Sequence, residues 1–237
     1  MKKNIFKKII YVTIVLGLTG LVAFVIYASS YYKADENVSR LIKTEQIVVE
    51  NDSIKLIPKI HQKNIGIIFY PGAKVEYTSY LPMLNKLKEN GYTVISLKMP
   101  FNMAIFGKNK ANEIYDNHPN IKHWYIAGHS MGGAMASSYA SAHQDKIEGL
   151  ILLGAYPYGD YPLNKTLTIY GTLNTSVAEK INYTENVVKI DGGNHAQFGN
   201  YGKQKGDAEA HISPEEQQNE TVSTIIDFIK NNRQNIY

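Results

Sequence analysis

The chain opens with a long apolar run and then changes to short apolar blocks set between polar stretches. Ile9 to Ala28 is twenty residues without a charge, preceded by Lys2, Lys3, Lys7 and Lys8. A helix of that length spans the hydrocarbon core of a bilayer. The pattern predicts a basic cytoplasmic end over 1–8 and a transmembrane anchor over 9–28, with the folded part outside the cell because the lysines stay inside. The rival is a cleaved signal, with Ala28 and Ser30 as small residues before the cut and a secreted product. The apolar run is longer than an ordinary signal core, which favours the anchor. Residues 29–44 are polar and read as a linker, leaving 45–237 as the folded domain.

Within that domain the period changes from block to block. "EQIVVE" (45–50) and "SIKLIPK" (53–59) read as strands around a turn at Asn51-Asp52. "IGIIFY" (65–70), "YTVISLKM" (92–99), "WYIAG" (124–128), "GLILLGAY" (149–156), "LTIYG" (167–171) and "NVVKID" (186–191) are short apolar runs of strand length. Between them lie helical patterns. One carries Leu81, Leu84 and Leu87 on a single face and stops at Gly91; a weaker one covers 109–118; a third covers 131–143. The last helix begins at a capping box, Ser213 with Glu216 and Pro214 at its first position, and shows an apolar face of Val222, Ile225, Ile226 and Ile229. Apolar strands alternating with helices predict an α/β fold, a mostly parallel sheet covered on both faces. Ligands then bind beyond the carboxyl ends of the strands.

Composition changes this picture little. Hydrophobic residues make up 44% and charged residues 19%, as in an ordinary globular chain. There is no cysteine, which excludes disulfides, thiolate metal sites and a cysteine nucleophile. The net charge of +4 comes from the four N-terminal lysines, so the body of the chain is balanced and offers no basic surface for nucleic acid. No cofactor or metal is expected. His195 and Asp191 are four apart, but on a strand and glycine turn rather than a helix.

The chemistry sits in "AGHSMGGAMA". Gly128-His129-Ser130-Met131-Gly132 fits G-x-S-x-G between a predicted strand and a predicted helix. A nucleophile on so sharp a turn needs small neighbours, and Gly128 and Gly132 supply them. Ser130 is the expected nucleophile. The amide of Met131 is one expected oxyanion donor, and the other is Gly72 or Ala73 in "FYPGAKV". Of the seven histidines, His195 follows the last strand in "KIDGGNHAQFGNYG", where the base of a nucleophile–acid–histidine order belongs. His129 adjoins the serine but should face away from its hydroxyl.

On these residues, with "LGAYPYGDYPL" and "IYGTLNTSVAEK", residues 60 to 232 resemble the α/β-hydrolase superfamily, in a branch similar to the dienelactone hydrolases (carboxymethylenebutenolidases). The resemblance implies a Ser–acid–His hydrolase of esters or related carbonyl compounds, with Ser130 as nucleophile, His195 as base, and Met131 with Gly72–Ala73 as the oxyanion hole. It also exposes a departure. Where such enzymes carry Gly-x-x-Asp after the penultimate strand, this chain reads Gly171-Thr172-Leu173-Asn174. Asparagine can accept the histidine's N–H through its amide oxygen, but it brings no charge, and its amide can turn over and present a donor. Either Asn174 orients the base, or Asp160 after the preceding strand replaces the acid, with Glu179, Asp191 and Asp207 as lesser candidates.

Two functions follow as expectations. One is a membrane-anchored, extracytoplasmic serine hydrolase acting on small ester-type substrates through an acyl-enzyme, in a cleft walled by Tyr156, Tyr158, Tyr161 and the loop 196–202. The other is a catalytically degenerate protein of the same fold that binds without turnover.

Overall fold

The computed structural model describes residues 2–45, 47–50 and 52–234. It divides into two units, Met1–Tyr31 and Tyr32–Tyr237. The first holds helix α1 (Lys2–Ser29), of which Asn4–Ser29 is long and apolar enough to cross a membrane. Its threonine and serine hydroxyls bond back to the helix: Thr13, Thr19 and Ser29 each donate to the carbonyl four residues back, at 3.0, 2.9 and 2.7 Å. That satisfies three polar groups within the helix itself.

The second unit is a seven-stranded sheet in the order β1-β3-β2-β4-β5-β6-β7. The strands are β1 (Ser53–Leu56), β2 (Ile65–Tyr70), β3 (Thr93–Leu97), β4 (His123–His129), β5 (Gly149–Leu153), β6 (Thr166–Gly171) and β7 (Val187–Ile190). All neighbours are parallel except β1, which runs antiparallel to β3. The pleat sends alternate side chains to opposite faces. Ile67, Phe69, Tyr125, Ala127, Ile151 and Leu153 join α3 (Leu81–Glu89) and α6 (Pro214–Gln234) in one core. Ile68, Tyr70, Trp124, Ile126, Leu150 and Leu152 join α4 (Met131–Ala142) in the other. The α/β fold with a mostly parallel sheet covered on both faces is therefore the one the sequence pattern predicts. The capping box of α6 also closes: Ser213 N–H donates to Glu216 Oε2 at 2.8 Å, and Glu216 N–H to Ser213 Oγ at 3.2 Å.

Three segments differ from expectation. The stretch 29–44 is not simply a linker: Tyr32 pairs with Val75, and helix α2 (Glu36–Thr44) buries Val38 with Leu41 and Ile42 beside it. These are i, i+3 and i+4, an amphipathic face short enough to be hidden among polar residues. Among the described residues of 45–50 there is no strand. Val49 makes an isolated bridge to Ile54, Glu50 N–H donates to Ser53 C=O at 3.0 Å, and Asn51 of the expected turn lies outside the described residues. Residues 109–118 form two 3₁₀ turns, Lys110–Glu113 and Tyr115–Asn117, rather than a helix. There the asparagines are engaged elsewhere: Asn112 Oδ1 accepts from Tyr139 at 2.7 Å, and Asn117 Nδ2 donates to Glu113 C=O at 2.9 Å. Such local bonds compete with helix propagation.

Candidate active site

Ser130 sits at the turn from β4 into α4 with φ 54° and ψ −123°. A positive φ on a non-glycine residue is strained by the order of 1–3 kcal/mol and persists only where the surroundings enforce it. Here they do. Ser130 N–H donates to Leu153 C=O on β5 at 3.0 Å, and Ala134 N–H to Ser130 C=O at 3.1 Å. The two flanking glycines have no room for a side chain. A Cβ on Gly128 would lie 2.5 Å from the Gly132 carbonyl carbon, and one on Gly132 would lie 2.2 Å from the Tyr70 carbonyl oxygen. The serine is thus held above the carboxyl edge of the sheet at the positive end of α4.

Ser130 opens into a cleft of about 750 Å³ that also receives Met131, Tyr156, Tyr158, Asn174 and His195. The strap Gln204–Ala208 forms part of its wall, with the start of α4, the loop after β5 and residues 173–177. Tyr156 and Tyr158 are exposed, as an open mouth requires. Tyr161, expected beside them, is buried instead, its hydroxyl donating to Ile147 C=O at 2.7 Å. The loop 196–202 likewise does not line the cleft; the strap after it does.

His195 follows β7 and stands in the same cleft as Ser130. Its Nδ1 lies 2.7 Å from Asn174 Nδ2. Asn174 is buried, and its Oδ1 accepts from Ser176 Oγ at 3.1 Å. With the amide nitrogen toward the ring, it donates to Nδ1, which leaves the imidazole proton on Nε2. If the amide turns over, with the Ser176 hydroxyl as acceptor, Oδ1 receives an Nδ1–H and Nε2 becomes free to take a proton. Burial lowers the His195 pKa, against an opposing pull from the Asp207 carboxylate.

Asp160 does not reach this histidine. Its side chain is exposed, and its main-chain carbonyl accepts from Gln144 at 3.2 Å on the outside of the loop after β5. The loop carries the carboxylate outward, so the position chosen from chain order is corrected by its direction. Glu179 is exposed, and Asp191 accepts from Thr172 at 3.4 Å. Asp207 is the carboxylate that does approach. Its Oδ1 accepts from the His195 main-chain N–H at 3.1 Å and its Oδ2 from that of Ala196 at 2.7 Å. Nothing in the residue order signals this, because the contact depends on how the strap folds back.

His129 faces away from the serine hydroxyl, as expected, into a buried relay. Its Nε2 is 2.9 Å from the His195 carbonyl, and its Nδ1 is 2.8 Å from Tyr80 Oη. The carbonyl can only accept, so Nε2 carries the proton. Complete burial lowers the His129 pKa well below 6.5, so the ring is neutral and Nδ1 accepts from the Tyr80 hydroxyl. Tyr80 Oη in turn accepts the Gly72 N–H at 3.0 Å. Gly72 is therefore already occupied, and of the two expected donors on that loop the amide of Ala73 is the one not taken by Tyr80. Tyr80 was not foreseen; its position in an ordinary helix start gave no sign of it.

Comparison with known proteins agrees with the fold. The model of the Alpha/beta hydrolase family matches residues 66–219. A protein of Mycobacterium phage D29, provisionally named a non-heme haloperoxidase, is 27% identical over 124 residues, 48% of this chain. The match spans only 45% of that relative's length. Among solved structures, Est1E from Butyrivibrio proteoclasticus superposes with a TM-score of 0.54 at 16% identity, over 78% of this chain and 98% of its own. An α/β serine hydrolase without a lid from Xanthomonas campestris gives 0.51 at 14% identity, over 74% and 88%. An α-β serine hydrolase homologue from Coxiella burnetii gives 0.52 at 14% identity, over 76% and 95%. At these identities the structures speak to the fold.

Proposed function

The chain belongs to the α/β-hydrolase family, and on that premise we propose that it is a serine hydrolase cleaving ester-type bonds through an acyl-enzyme. The observation that carries this is the conformation of Ser130, φ 54° and ψ −123°, strained into a cleft that it shares with His195. The Ser130 hydroxyl gives its proton to Nε2 of His195 as Oγ bonds the substrate's carbonyl carbon. The electron pair displaced onto oxygen is met by the amide of Met131 and by that of Ala73. The imidazolium returns the proton to the leaving alcohol, and water repeats the sequence on the acyl-enzyme. For this step the Asn174 amide is turned so that its Oδ1 accepts from Nδ1–H, which orients the ring and leaves Nε2 unprotonated. The cleft is walled in part by two exposed tyrosines and a non-helical strap rather than a helical lid, which suits small or externally presented esters. The apolar helix α1 supports a single-pass membrane anchor with the catalytic unit outside the cell.

A fluorophosphonate probe tests the reading directly. It should label Ser130 in the wild type and leave Ser130→Ala unlabelled; folded wild-type protein that takes up no label would sink it. A second reading, binding without turnover, has one observation in its favour. A neutral amide, Asn174, faces His195 Nδ1 where a carboxylate would carry charge. Protein that binds an ester analogue yet takes no label would select it.

A further inference from the structure

Proton transfer from Ser130 leaves a positive imidazolium in a largely buried site, and Asn174 has no charge to set against it. The nearest carboxylate is on the other side of the histidine. Asp207 clamps the main chain there, at 3.1 Å to the His195 N–H and 2.7 Å to the Ala196 N–H. The strap that carries it is itself tied down. Lys205 N–H donates to Tyr32 Oη at 2.9 Å, Asn194 Nδ2 to Ala208 C=O at 2.8 Å, and His211 N–H to Gly192 C=O at 2.8 Å. A fixed carboxylate therefore sits against the main chain of the base, each of its oxygens accepting one amide N–H.

We propose that Asp207 supplies, from the main-chain side of His195, the negative charge that the acid position at Asn174 lacks. It is a positioning residue: it acts on the base through the main chain and through space, not on the ring nitrogen. The inference rests on the serine-hydrolase reading. Other groups facing His195 do not provide the charge. His129 from β4 has its ring centroid 4.6 Å away but is neutral. Asn174 is an amide, and Ser130, Tyr156 and Lys205, which share the cleft, include one cation and no acid. The carboxylate's pull on His195 opposes the effect of burial, the direction this role needs.

The test uses full-length protein and two variants, Asp207→Asn and Asp207→Ala, with the His195 ring titrated by NMR. Loss of the charge should lower the His195 pKa by about one unit. It should also reduce ester kcat/KM about tenfold or more and move the acid limb of its pH profile downward. In an Asn174→Asp background, where charge is restored on the ring side, the same Asp207 substitution should cost under about threefold, a coupling that a purely structural clamp would not show. An unchanged His195 titration, or equal losses in both backgrounds, would overturn the proposal. So would the failure of both variants to fold, since Asp207 would then be a clamp first. Labelling of wild-type Ser130 is measured separately, so failure of the hydrolase reading is seen without the titration, and the titration decides Asp207 by itself.

Discussion

The Asn174 amide nitrogen and His195 Nδ1 face one another at 2.7 Å, in the place where an aspartate would charge the base. Asn174→Asp should therefore raise esterase kcat by orders of magnitude, toward the factor of about 10⁴ by which the reverse change slows a serine protease. The acid limb of kcat/KM should move upward, because a carboxylate at Nδ1 stabilises the imidazolium. A pH–rate profile of the variant that overlays the wild type would show that Asn174 does not orient the base.

Tyr80 links the loop after β2 to the base, through Gly72 N–H on one side and His129 on the other. Tyr80→Phe removes one oxygen and strands two buried groups, the Gly72 amide and His129 Nδ1. Each such loss costs about 1–3 kcal/mol. Thermal unfolding should show a clearly lower Tm, and the change in kcat should exceed the change in KM because the loop and base loosen together. An unaltered Tm would mean the relay carries no stability.

Gly132→Ala places a methyl 2.2 Å from the Tyr70 carbonyl oxygen, with main chain on both sides. Neither backbone can give way cheaply, so destabilisation of about 3 kcal/mol or more is expected from denaturant unfolding. The Ser130 conformation should be lost with it, and fluorophosphonate labelling should vanish before the protein is fully unfolded.

Stability should fall in mild acid. Burial lowers the folded-state pKa of both His129 and His195 below 6.5, so below that pH the unfolded chain binds protons that the folded one refuses. More protons on the unfolded state means that stability rises with pH. The Tm should hold near pH 8 and drop between about pH 6.5 and pH 5, ahead of the carboxylate range. Replacing His129 by Gln should flatten this drop while lowering Tm overall.

The apolar helix Asn4–Ser29 gives a localisation test. The full chain should sediment with membranes and resist carbonate extraction, and protease added to intact cells should reach the catalytic unit. A chain starting at Tyr31 should stay soluble and keep its esterase activity. A mature N-terminus found near Ala28 would replace the anchor by a cleaved signal.

The sequence by itself determined the parallel strands, the glycine-flanked turn at Ser130 and the place of His195 after the last strand. These are local: a strand needs a short apolar run, a helix an apolar stripe, and a nucleophile at a tight turn needs small residues on both sides, so Gly128, Ser130 and Gly132 read directly. Helix α2 and the 3₁₀ turns at 110–117 were hidden because few residues carried the pattern or because asparagines bonded elsewhere. What only the tertiary structure decided was which groups meet around His195. Asp160 follows the right kind of strand and points outward, while Asp207 lies on a strap that folds back onto the His195 main chain. Tyr80 and His129, forty-nine residues apart, close on each other across β2 and β4. Long-range contacts of this kind are fixed by the packing of whole elements, and no spacing along the chain encodes them.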